Sequence, residues 1–421
     1  MTDVQQLLQS GNILMLVWGA ALVFSMHAGF AFLEAGSVQR KNVVNALTKI
    51  VMDWSISTFI YFVIGFPIAY GISFLKPVNE ILKSDGNGFN FVHFFFLLTF
   101  AACIPAIISG GIAERAKFGT QALAGAIFVG LCYPFYEAVM WGQWGFMTTA
   151  DGVQHAIGLN LWLQNTCGAP FHDYAGSVVV HAMGGWLALP AILILGPRLG
   201  RYRNNGASEA PPIHSIPYVA LGSWFLMVGW FGFNVASAGK ISDISGLVAI
   251  NSLMAMVGGV VAACLASRCD SVAVYNGALA GLVAVCAGSD KYHPLGAAVV
   301  GAVAGIIFVK AFQFANEKWK IDDVLGVWPL HGLGGAWGGI AAGIFAQRVF
   351  GGNAGVGTSA PVSFLSQLIG TGLCVVTALV VSTIVYSIMH RGVGIRLTPR
   401  EEMLGSDLVV HSSKAYPEEV F

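Results

Sequence analysis

Two histidines in apolar surroundings are the first candidates for chemistry in this sequence. His181 and His331 each begin the pattern His-x-x-Gly-Gly, and they lie 150 positions apart. Imidazole is the side chain whose ordinary pKa lies nearest neutrality, so it can accept a proton and pass it on. Two adjacent imidazoles in a low-dielectric region would not both be charged, which favours a shared proton or hydrogen bond. A hydrogen-bonded packing role is the alternative for each histidine.

Asp173, Ser177 and His181 follow one another at intervals of four, so a helix would place them on one stripe. Asp173 would lie in the first turn, where a carboxylate accepts hydrogen bonds from free backbone amides and complements the helix dipole. The functional alternative is a fixed negative charge that favours a cation above His181, and the two roles are compatible. Eight residues of helix separate Asp173 from His181 by about 12 Å, so we expect no metal site there.

Aromatic residues form a second group of candidates. Trp230, Phe233 and Ser237 occupy positions i, i+3 and i+7 near the end of one apolar block, and Trp141 lies near the end of another. Tryptophan at a membrane interface usually anchors the protein. An aromatic face beside a serine hydroxyl is also a cage for a small cation, bound by cation–π contact and hydrogen bonds. The spacing alone does not decide between a membrane-anchoring aromatic belt and a cation-binding cage.

The composition indicates that a membrane surrounds these residues. Of 421 residues, 56% are hydrophobic and 10% are charged, against about 45–50% and 25% in soluble domains. Apolar blocks of bilayer-spanning length recur from Ile13 to Met389. We therefore predict an all-α polytopic membrane protein with eleven transmembrane helices. The predicted spans lie near residues 12–35, 47–74, 91–113, 119–147, 170–196, 215–237, 246–266, 272–288, 294–316, 325–349 and 363–389.

Ionisable groups inside such spans cost at least about 2.5–3.5 kcal/mol each at the bilayer centre, so each is a functional candidate. The main ones are His27, Asp53, Glu137, Asp173, His181 and His331. Unlike the other two histidines, His27 has no counterpart elsewhere in the chain, and we interpret it as a packing residue.

The basic residues give the predicted spans an orientation. Fourteen lysines and arginines lie in one set of alternate loops and in the C-terminal tail, and five lie in the other set. Because cytosolic loops carry the excess of basic residues, the N-terminus is predicted outside and the C-terminus in the cytosol. The chain divides into a transmembrane domain, residues 1–390, and a cytosolic C-terminal tail, residues 391–421. The first twelve residues include an acid and no base, so we expect no cleaved signal peptide.

The two halves of the transmembrane domain share short patterns. The first span contains Met26-x-x-x-Phe30-x-Phe32 and the sixth contains Met227-x-x-x-Phe231-x-Phe233, while the His-x-x-Gly-Gly motifs fall in the fifth and tenth. Units of five spans would run in opposite directions because five is odd. We therefore predict an inverted repeat of spans 1–5 and 6–10, with a site near the midplane between the halves.

Several classes of function are disfavoured. Lys plus Arg and Asp plus Glu number 21 each, and no basic tract is long enough to follow a nucleic acid. The 7 cysteines form no CxxC pair, so we expect neither a disulfide framework nor a metal cluster. We find no sequence motif for a nucleophile–base pair, a phosphate-binding loop or a zinc site. We therefore expect no enzyme and no cofactor.

Taken in order, the motifs cover nearly the whole chain and resemble those of the Amt/Mep/Rh ammonium transporter family. The matching segments are Phe100-Ala-Ala-Cys-Ile, Gly110-Gly-Ile-Ala-Glu114-Arg115, Asp173-Tyr-Ala-Gly-Ser-Val-Val-Val-His181, Gly229-Trp230-Phe-Gly-Phe233-Asn234-Val-Ala-Ser237-Ala-Gly239, and Asp322-Asp323 followed by His331-Gly-Leu-Gly-Gly. The resemblance implies a multi-pass protein of the cell (inner) membrane, a homotrimer in which each eleven-span subunit has its own pore.

The resemblance also implies roles for single residues at the outer end of the pore. Trp141 and Ser237 would form the outer recruitment site together with Phe100 and Phe233, and the two phenylalanines would stack as a gate. The presence of both Trp141 and Ser237 favours the Amt branch of the family over the Rh branch.

Further inside, Trp230 would help to line the pore and Asp173 would support the recruitment site. His181 and His331 would be twin pore histidines that relay a proton. The implied function is net electrogenic uptake of ammonium, in which NH4+ is recruited and deprotonated and NH3 crosses with a relayed proton. Methylammonium would be a poorer analogue.

Two other functions stay open at this point. An ammonium sensor would use the same architecture and signal through the tail to a fused or separate signalling domain, and a gas channel would pass neutral NH3 or CO2. The tail departs from the family pattern at Gly405-Ser406-Asp407 and His411-Ser412-Ser413. These departures put in doubt the tail's contact with a neighbouring subunit and control by a PII-type signal protein. Gly326 stands where the family frequently has an acidic residue.

Overall fold

The computed structural model describes residues 3–84, 88–149, 153–241, 244–357 and 359–416, and these are mostly helical. Among them, nine helices are long and apolar enough to cross a membrane. These helices are Asp3–Ser37, Arg40–Tyr70, Phe89–Ile112, Phe118–Met140, Ser177–Leu195, Ile216–Ala236, Ile244–Ser267, Pro294–Glu317 and Phe364–Gly392. Shorter apolar helical segments, Ser271–Val285 and Trp328–Leu333 continued by Gly334–Phe345, lie in the two remaining predicted spans.

Several helix ends differ from the predicted bounds. The first helix begins at Asp3, well before residue 12. The fourth ends at Met140 rather than 147. Just after it, Gly142 packs against the second helix so closely that an added Cβ would come 2.0 Å from the Ala69 carbonyl oxygen. The fifth begins at Ser177 rather than 170, because Gly176 has a φ of +90° and interrupts regular helix.

Smaller elements lie between and after the long helices and were not predicted. The main ones among the described residues are an antiparallel hairpin and four short α-helices. They are the strands Phe146–Thr148 and Gln154–Ala156 and the helices Val78–Ser84, Gly158–Cys167, Pro399–Leu404 and Ser406–His411. The first three elements in chain order after Met140 cover the end of the fourth helix, and the last two belong to the C-terminal tail.

Two helices that carry the candidate histidines begin with π-helical turns. Ser177–Ala182 opens the His181 helix, which runs on to Leu195, and Trp328–Leu333 opens the His331 helix, which runs on to Phe345. A π-helical turn widens the backbone spiral by one residue and is found most often at functional sites. In both helices the histidine lies inside this turn.

Glycines allow these two helices to touch backbone to backbone. A Cβ on Gly185 would lie 2.1 Å from the Gly332 nitrogen, and a Cβ on Gly335 would lie 2.3 Å from the Ser177 carbonyl oxygen. Gly334 differs, because the nearest atom to an added Cβ there is 3.7 Å away. Close packing of small residues is the usual way in which membrane helices associate. Two of the four glycines of the His-x-x-Gly-Gly motifs, Gly185 and Gly335, therefore hold the histidine helices together, whereas a Cβ on Gly184 would meet the side chain of Ile107 at 2.9 Å.

A buried ion network ties together the loops near the C-terminal tail. Arg198 pairs with Glu114 at 2.7 Å and with Asp322 at 2.9 Å, and Arg201 reaches Asp322 at 3.2 Å. Burial alone would raise the pKa of Asp322, but its hydrogen bonds and ion pair with Arg198 outweigh burial and hold that pKa well below its usual range. The pKa of Glu114 is lowered in the same way, against burial, chiefly by the charge of Arg198.

The tail packs on the loop that follows the first helix. The Asp407 carboxylate accepts hydrogen bonds from the backbone N–H groups of Val44 and Asn45, at 3.0 and 2.8 Å. Lys41 donates to the carbonyl oxygens of Glu402 and Met403, at 2.8 and 3.0 Å. The tail is thus held by its own subunit.

One expectation about the cysteines is wrong. The structure joins Cys264 to Cys269 in a disulfide. The helix Ile244–Ser267 ends in a tight turn in which Arg268 and Cys269 both have positive φ, and this turn folds Cys269 back onto Cys264. Spacing without a CxxC pair did not indicate the bridge, because the pairing depends on the backbone of that turn.

Candidate functional site

The two histidines lie side by side in the middle of the molecule. Nδ1 of His181 is 3.3 Å from Nδ1 of His331, and the ring planes are inclined by 25° with centroids 5.3 Å apart. Both side chains are buried. One Nδ1 must carry the hydrogen and the other must accept it, so the pair shares a single proton between facing nitrogens. Among the described residues, His181 Nε2 has no hydrogen-bond partner and is free to meet a solute.

Each histidine helix is capped by an aspartate eight residues before the histidine. Asp173 accepts from the N–H groups of Gly176, Val178 and Val179, at 3.2, 2.8 and 2.8 Å. The capping role considered for Asp173 is thus realised, and its carboxylate lies at the positive end of the helix dipole.

Asp323 repeats the arrangement and was missed as a site residue by the sequence reasoning. It accepts from Gly326, Val327 and Trp328 at 3.0, 3.0 and 2.8 Å. The signal was available, because Asp-x-x-Gly-x4-His occurs at Asp173 and again at Asp323 with the same offset as the histidines. Gly326, singled out as a departure from the family pattern, has a φ of +74° and corresponds to Gly176 in the first copy.

Phe100 and Phe233 close the way to the histidines. Their rings are stacked with centroids 3.9 Å apart and planes inclined by 3°, and both side chains are fully buried. The Phe233 ring also lies 5.4 Å from the His181 ring. A solute that reached the histidines from this side would have to part the two phenylalanine rings.

Above the stacked rings lies a cavity of about 1150 Å³, which we call the Trp141 cavity. Its walls include Phe100, Trp141 and Ser237. The Trp141 indole N–H donates to the Asp173 carbonyl oxygen at 2.8 Å. This hydrogen bond fixes the ring and occupies its N–H edge, so that a ring face can contact a ligand. The Ser237 hydroxyl donates to the Phe233 carbonyl oxygen at 2.8 Å, which leaves its oxygen lone pairs for an N–H donor.

Trp230 is completely buried and lies on the histidine side of the stacked phenylalanines. Its ring stacks on His181 at 5.0 Å, and its indole N–H donates to the sulfur of Cys286 at 3.1 Å. A belt residue would lie at the lipid surface, so the belt interpretation does not fit Trp230. Sequence reasoning did not identify Cys286 as its partner, because 56 residues separate the two.

Beyond the histidines the route continues through a narrow space of about 20 Å³ to a second large cavity. His331, Trp230 and Leu325 line the narrow space, which is too small for a hydrated ion. The second cavity has a volume of about 950 Å³, and Leu325 and Asn316 are among the residues that line it. We call it the Asn316 cavity. Two wide cavities are thus separated by a narrow, mostly apolar constriction beside the histidine pair.

The other ionisable candidates lie away from this line. His27 packs against Trp54 at 4.5 Å between ring centroids, as expected for a packing residue. The Asp53 carboxylate accepts from the Gln121 side chain at 3.1 Å. Glu137 lies one helical turn before Trp141, where three tyrosine hydroxyls donate to it.

Comparison with known proteins agrees with this geometry. Residues 13–416 match the family model described as Ammonium Transporter Family. The chain is 38% identical to ammonium transporter Amt2 of Methanocaldococcus jannaschii, over 99% of the chain and 96% of that protein. Amt1 of the same organism is 35% identical, with 97% of each covered.

Solved structures show the same fold. A protein named Sensor Amt Protein superposes with a TM-score of 0.84 at 29% identity, covering 96% of this chain and 99% of the other. Candida albicans Mep2 shares the fold, with a TM-score of 0.77 at 23% identity over 97% and 90% of the two chains. The chain therefore belongs to the ammonium transporter family.

Proposed function

We propose that this protein takes up ammonium by binding NH4+ in the Trp141 cavity, removing a proton and conducting NH3 through the constriction while the histidine pair relays the proton. The observation that carries the proposal is the Nδ1–Nδ1 approach of His181 and His331, at 3.3 Å, directly beneath the stacked rings of Phe100 and Phe233.

Recognition rests on what Trp141 and Ser237 still offer to a ligand. The indole face attracts a cation, and the Ser237 oxygen accepts an N–H, so a cation with N–H donors satisfies both groups. NH4+ and K+ are similar in size, and size cannot separate them. K+ has no N–H to donate and no proton to lose.

The constriction provides the second selection step. Moving a whole charge through this narrow space is costly because most of its lining, such as Trp230, Leu325 and Leu330, is apolar and cannot replace the hydration shell. NH3 carries no charge and fits a narrow apolar path. The proton removed from NH4+ passes between the facing nitrogens of His181 and His331, so net charge still crosses and uptake is electrogenic.

The architecture that fits this function is the one expected from the sequence. We propose eleven transmembrane helices, an inverted repeat of spans 1–5 and 6–10, an N-terminus outside and a C-terminus in the cytosol. Duplicated caps at Asp173 and Asp323, duplicated π-helical turns and duplicated histidines support the repeat. The assembly would be a homotrimer in the cell membrane with one pore in each subunit, and the Trp141 cavity would be the outer one.

The test is solid-supported-membrane electrophysiology on the purified full chain in liposomes, with ammonium, methylammonium and K+. We expect a current with ammonium, a smaller one with methylammonium and none with K+. Replacing both histidines (His181→Ala with His331→Ala) should abolish the ammonium current or let K+ pass. His27→Ala is the matched control, a buried histidine on another helix, and should keep the current. A double variant with unchanged current and selectivity would refute the relay.

Ammonium sensing is the second candidate. It is favoured by the likeness to the protein named Sensor Amt Protein and by the tail, which is held by the loop after the first helix. A sensor would bind ammonium and change the tail without a sustained current. Binding measured by tryptophan fluorescence together with electrical silence would support sensing. NH3 flux without current would instead support a neutral gas channel. Control of the tail by a PII-type protein would appear as binding of that protein to the cytosolic face.

A further inference from the structure

Glu34 is a buried carboxylate on the first helix that the proposed mechanism does not use. Its Oε1 is paired with the Lys49 ammonium at 2.5 Å, and its Oε2 accepts from the Ser109 hydroxyl at 2.6 Å. Both members of the ion pair are buried. Lys49 lies on the helix Arg40–Tyr70 and Ser109 on the helix Phe89–Ile112, so three helices meet at this carboxylate.

The partners of Glu34 indicate that it is ionised. A lysine ammonium at 2.5 Å makes a charge-assisted hydrogen bond to a carboxylate. Among the described residues, each carboxylate oxygen accepts one side-chain hydrogen bond and keeps a second lone pair for another donor. Because Lys49 balances its charge, the pair gives K+ no net negative charge to follow through the constriction.

Glu34 lies on the route between the histidines and the Asn316 cavity. It lines the narrow space together with His331. Phe30, one turn before it on the first helix, lies beside the His331 ring with centroids 6.5 Å apart. Ser37, three residues after Glu34, lines the Asn316 cavity. One stripe of the first helix thus passes from the histidine pair to the Asn316 cavity, and Glu34 lies in the middle of it.

The narrow space can hold one small molecule. Its volume of about 20 Å³ is enough for a single water-sized molecule, and Glu34, Asn276 and His331 are polar residues in its walls. Nδ1 of His331 faces His181, and Nε2, on the opposite edge of the ring, has no hydrogen bond to a described residue. A water or ammonia molecule in this space would bridge the imidazole and the carboxylate.

We propose that Glu34 is the proton carrier on the inner side of the histidine pair: it receives the relayed proton from His331 and returns it to NH3 where the constriction opens into the Asn316 cavity. This inference rests on the proposed function and adds the step by which the proton leaves the pair. When the shared hydrogen is on Nδ1 of His181, neutral His331 carries its own hydrogen on Nε2 and can donate it.

The proton balance closes over these steps. The histidine pair gains one proton from NH4+ at His181 and releases one at His331, where an N–H bond breaks as an O–H bond forms on Glu34. That O–H bond breaks when NH3 takes the proton and becomes NH4+ in the Asn316 cavity. One proton enters and one leaves for each NH3, and Glu34 returns to its ion pair with Lys49.

Glu34→Gln removes the proton acceptor and keeps the hydrogen bonds. The amide oxygen can accept from Lys49, and the amide nitrogen can donate to the Ser109 oxygen, since the Ser109 hydroxyl also reaches the Ala106 carbonyl at 2.9 Å. In full-length protein in liposomes we expect the maximum ammonium current to fall about tenfold or more, with a half-saturating concentration within about twofold of the parent. Glu34→Asp keeps a carboxylate and should restore current.

A second readout separates proton transfer from a structural role. NH3 that enters without a proton raises the internal pH, which pyranine enclosed in the liposomes reports. In the parent the co-transported proton cancels that rise. We therefore expect Glu34→Gln to lose current and to gain an ammonium-induced alkalinisation faster than in protein-free liposomes. A distorted pore would lose current without gaining alkalinisation.

Asp53→Asn is the matched control. Asp53 is a buried carboxylate on the same helix as Lys49, accepts from the Gln121 side chain at 3.1 Å and does not line the narrow space. This variant should keep the parental current within about twofold. An unchanged current in Glu34→Gln, an equal loss in Asp53→Asn, or a loss of current without alkalinisation would each overturn the proposal.

Two further comparisons keep the test decisive. Glu34→Gln leaves the Lys49 charge buried without a counter-charge. If that variant does not fold, Glu34→Met with Lys49→Met removes the whole pair and carries the same expectation. If the parent gives no ammonium current, the proposed function fails and this inference fails with it. If His181→Ala with His331→Ala abolishes the current but Glu34→Gln leaves it intact, the relay stands and only the role of Glu34 is wrong.

Discussion

Single residues in this protein act through the atoms that their neighbours leave unused. Trp141 and Ser237 both donate their hydrogens to backbone carbonyls, and what they present to the cavity is an indole face and an oxygen lone pair. His181 uses Nδ1 for His331 and keeps Nε2 free of partners within the described residues. The indole face and the serine oxygen can receive N–H groups, and Nε2 of His181 can do so when Nδ1 of His181 carries the shared hydrogen. The three groups are arranged in the order in which an ammonium ion would meet them.

Ser237→Ala tests whether the Ser237 hydroxyl oxygen accepts a hydrogen bond from ammonium in the Trp141 cavity. Removing one hydrogen bond of about 1 kcal/mol should raise the half-saturating ammonium concentration about fivefold and leave the maximum current unchanged. Ser223→Ala is the control, since Ser223 is a buried serine on the same helix that does not line the Trp141 cavity. Electrophysiology on both variants measures the difference. Equal affinities in parent and Ser237→Ala would contradict a role for this oxygen in recruitment.

The ion network around Arg198 gives a second prediction at this scale. Asp322→Asn leaves Arg198 and Arg201 buried beside a neutral group, and breaking a buried pair costs about 3–5 kcal/mol. We expect a clear fall in melting temperature in detergent. Arg203→Ala should change it little, because Arg203 and its partner Glu209 are exposed.

The same network predicts a dependence of stability on pH. The pKa values of Asp322 and Glu114 are depressed in the folded protein, against burial, by Arg198. Their contribution to stability is therefore complete above the unfolded values near pH 4 and is lost as the pH falls through the folded ones. Melting temperatures of the parent should fall below about pH 5. The fall should be shallower in Asp322→Asn, and parallel curves would contradict the assignment.

At the scale of elements, the two helices that carry the histidines share the same arrangement of residues. Each begins with an aspartate cap and a glycine of positive φ, continues through a π-helical turn that contains the histidine, and ends its motif in two glycines. The cap fixes where the helix starts and the glycines fix how close the two helices come. The 3.3 Å between the imidazoles follows from both.

Alanine substitutions at the adjacent positions Gly335 and Gly334 test whether close helix contact positions the histidines. Gly335→Ala would place a Cβ 2.3 Å from the Ser177 carbonyl oxygen, whereas Gly334→Ala meets nothing closer than 3.7 Å. Backbone cannot give way as a side chain can, so Gly335→Ala should lower the melting temperature and the maximum current sharply. Gly334→Ala should stay near the parent in both. Similar behaviour of the two variants would show that helix contact does not position the histidines.

Sequence reasoning reached the parts of this arrangement that depend on repetition along the chain. His181 and His331 could be found because identical short motifs surround them, and Asp323 could have been found from the same spacing as Asp173. Trp230 could not be assigned from spacing, because whether it faces lipid or the histidines depends on which neighbouring helix covers it. Glu137 could be named as an ionisable group in a span, but two of its three tyrosine partners, Tyr61 and Tyr70, are set by tertiary packing.

At the scale of the whole molecule, the tail is the part whose placement the sequence described least. It was expected as a polar cytosolic segment. In the structure it forms two short helices, and Gly405, with a φ of +92°, lets the chain turn against Lys41 before Asp407 receives the amides of Val44 and Asn45. The loop after the first helix and the tail therefore form one unit.

Asp407→Ala should release this unit without unfolding the bundle. Two backbone N–H groups lose their acceptor, so we expect faster hydrogen exchange at residues 399–411 and at residues 43–45, with a nearly unchanged melting temperature. Arg400→Ala is the control, because Arg400 is exposed on the same segment. Measurement is by hydrogen exchange and mass spectrometry of the full chain. Unchanged exchange in Asp407→Ala would mean that other contacts hold the tail.

The contact between the rings of Phe100 and Phe233 has a consequence for a protein at rest. A continuous water path through many copies of a membrane protein would short-circuit the membrane and drain the energy stored across it. The two stacked rings are nearly parallel with centroids 3.9 Å apart and leave no room for water between them, so ring motion must precede every passage. An idle molecule of this kind preserves electrical insulation. A membrane can therefore hold many resting copies of the protein without loss of its potential.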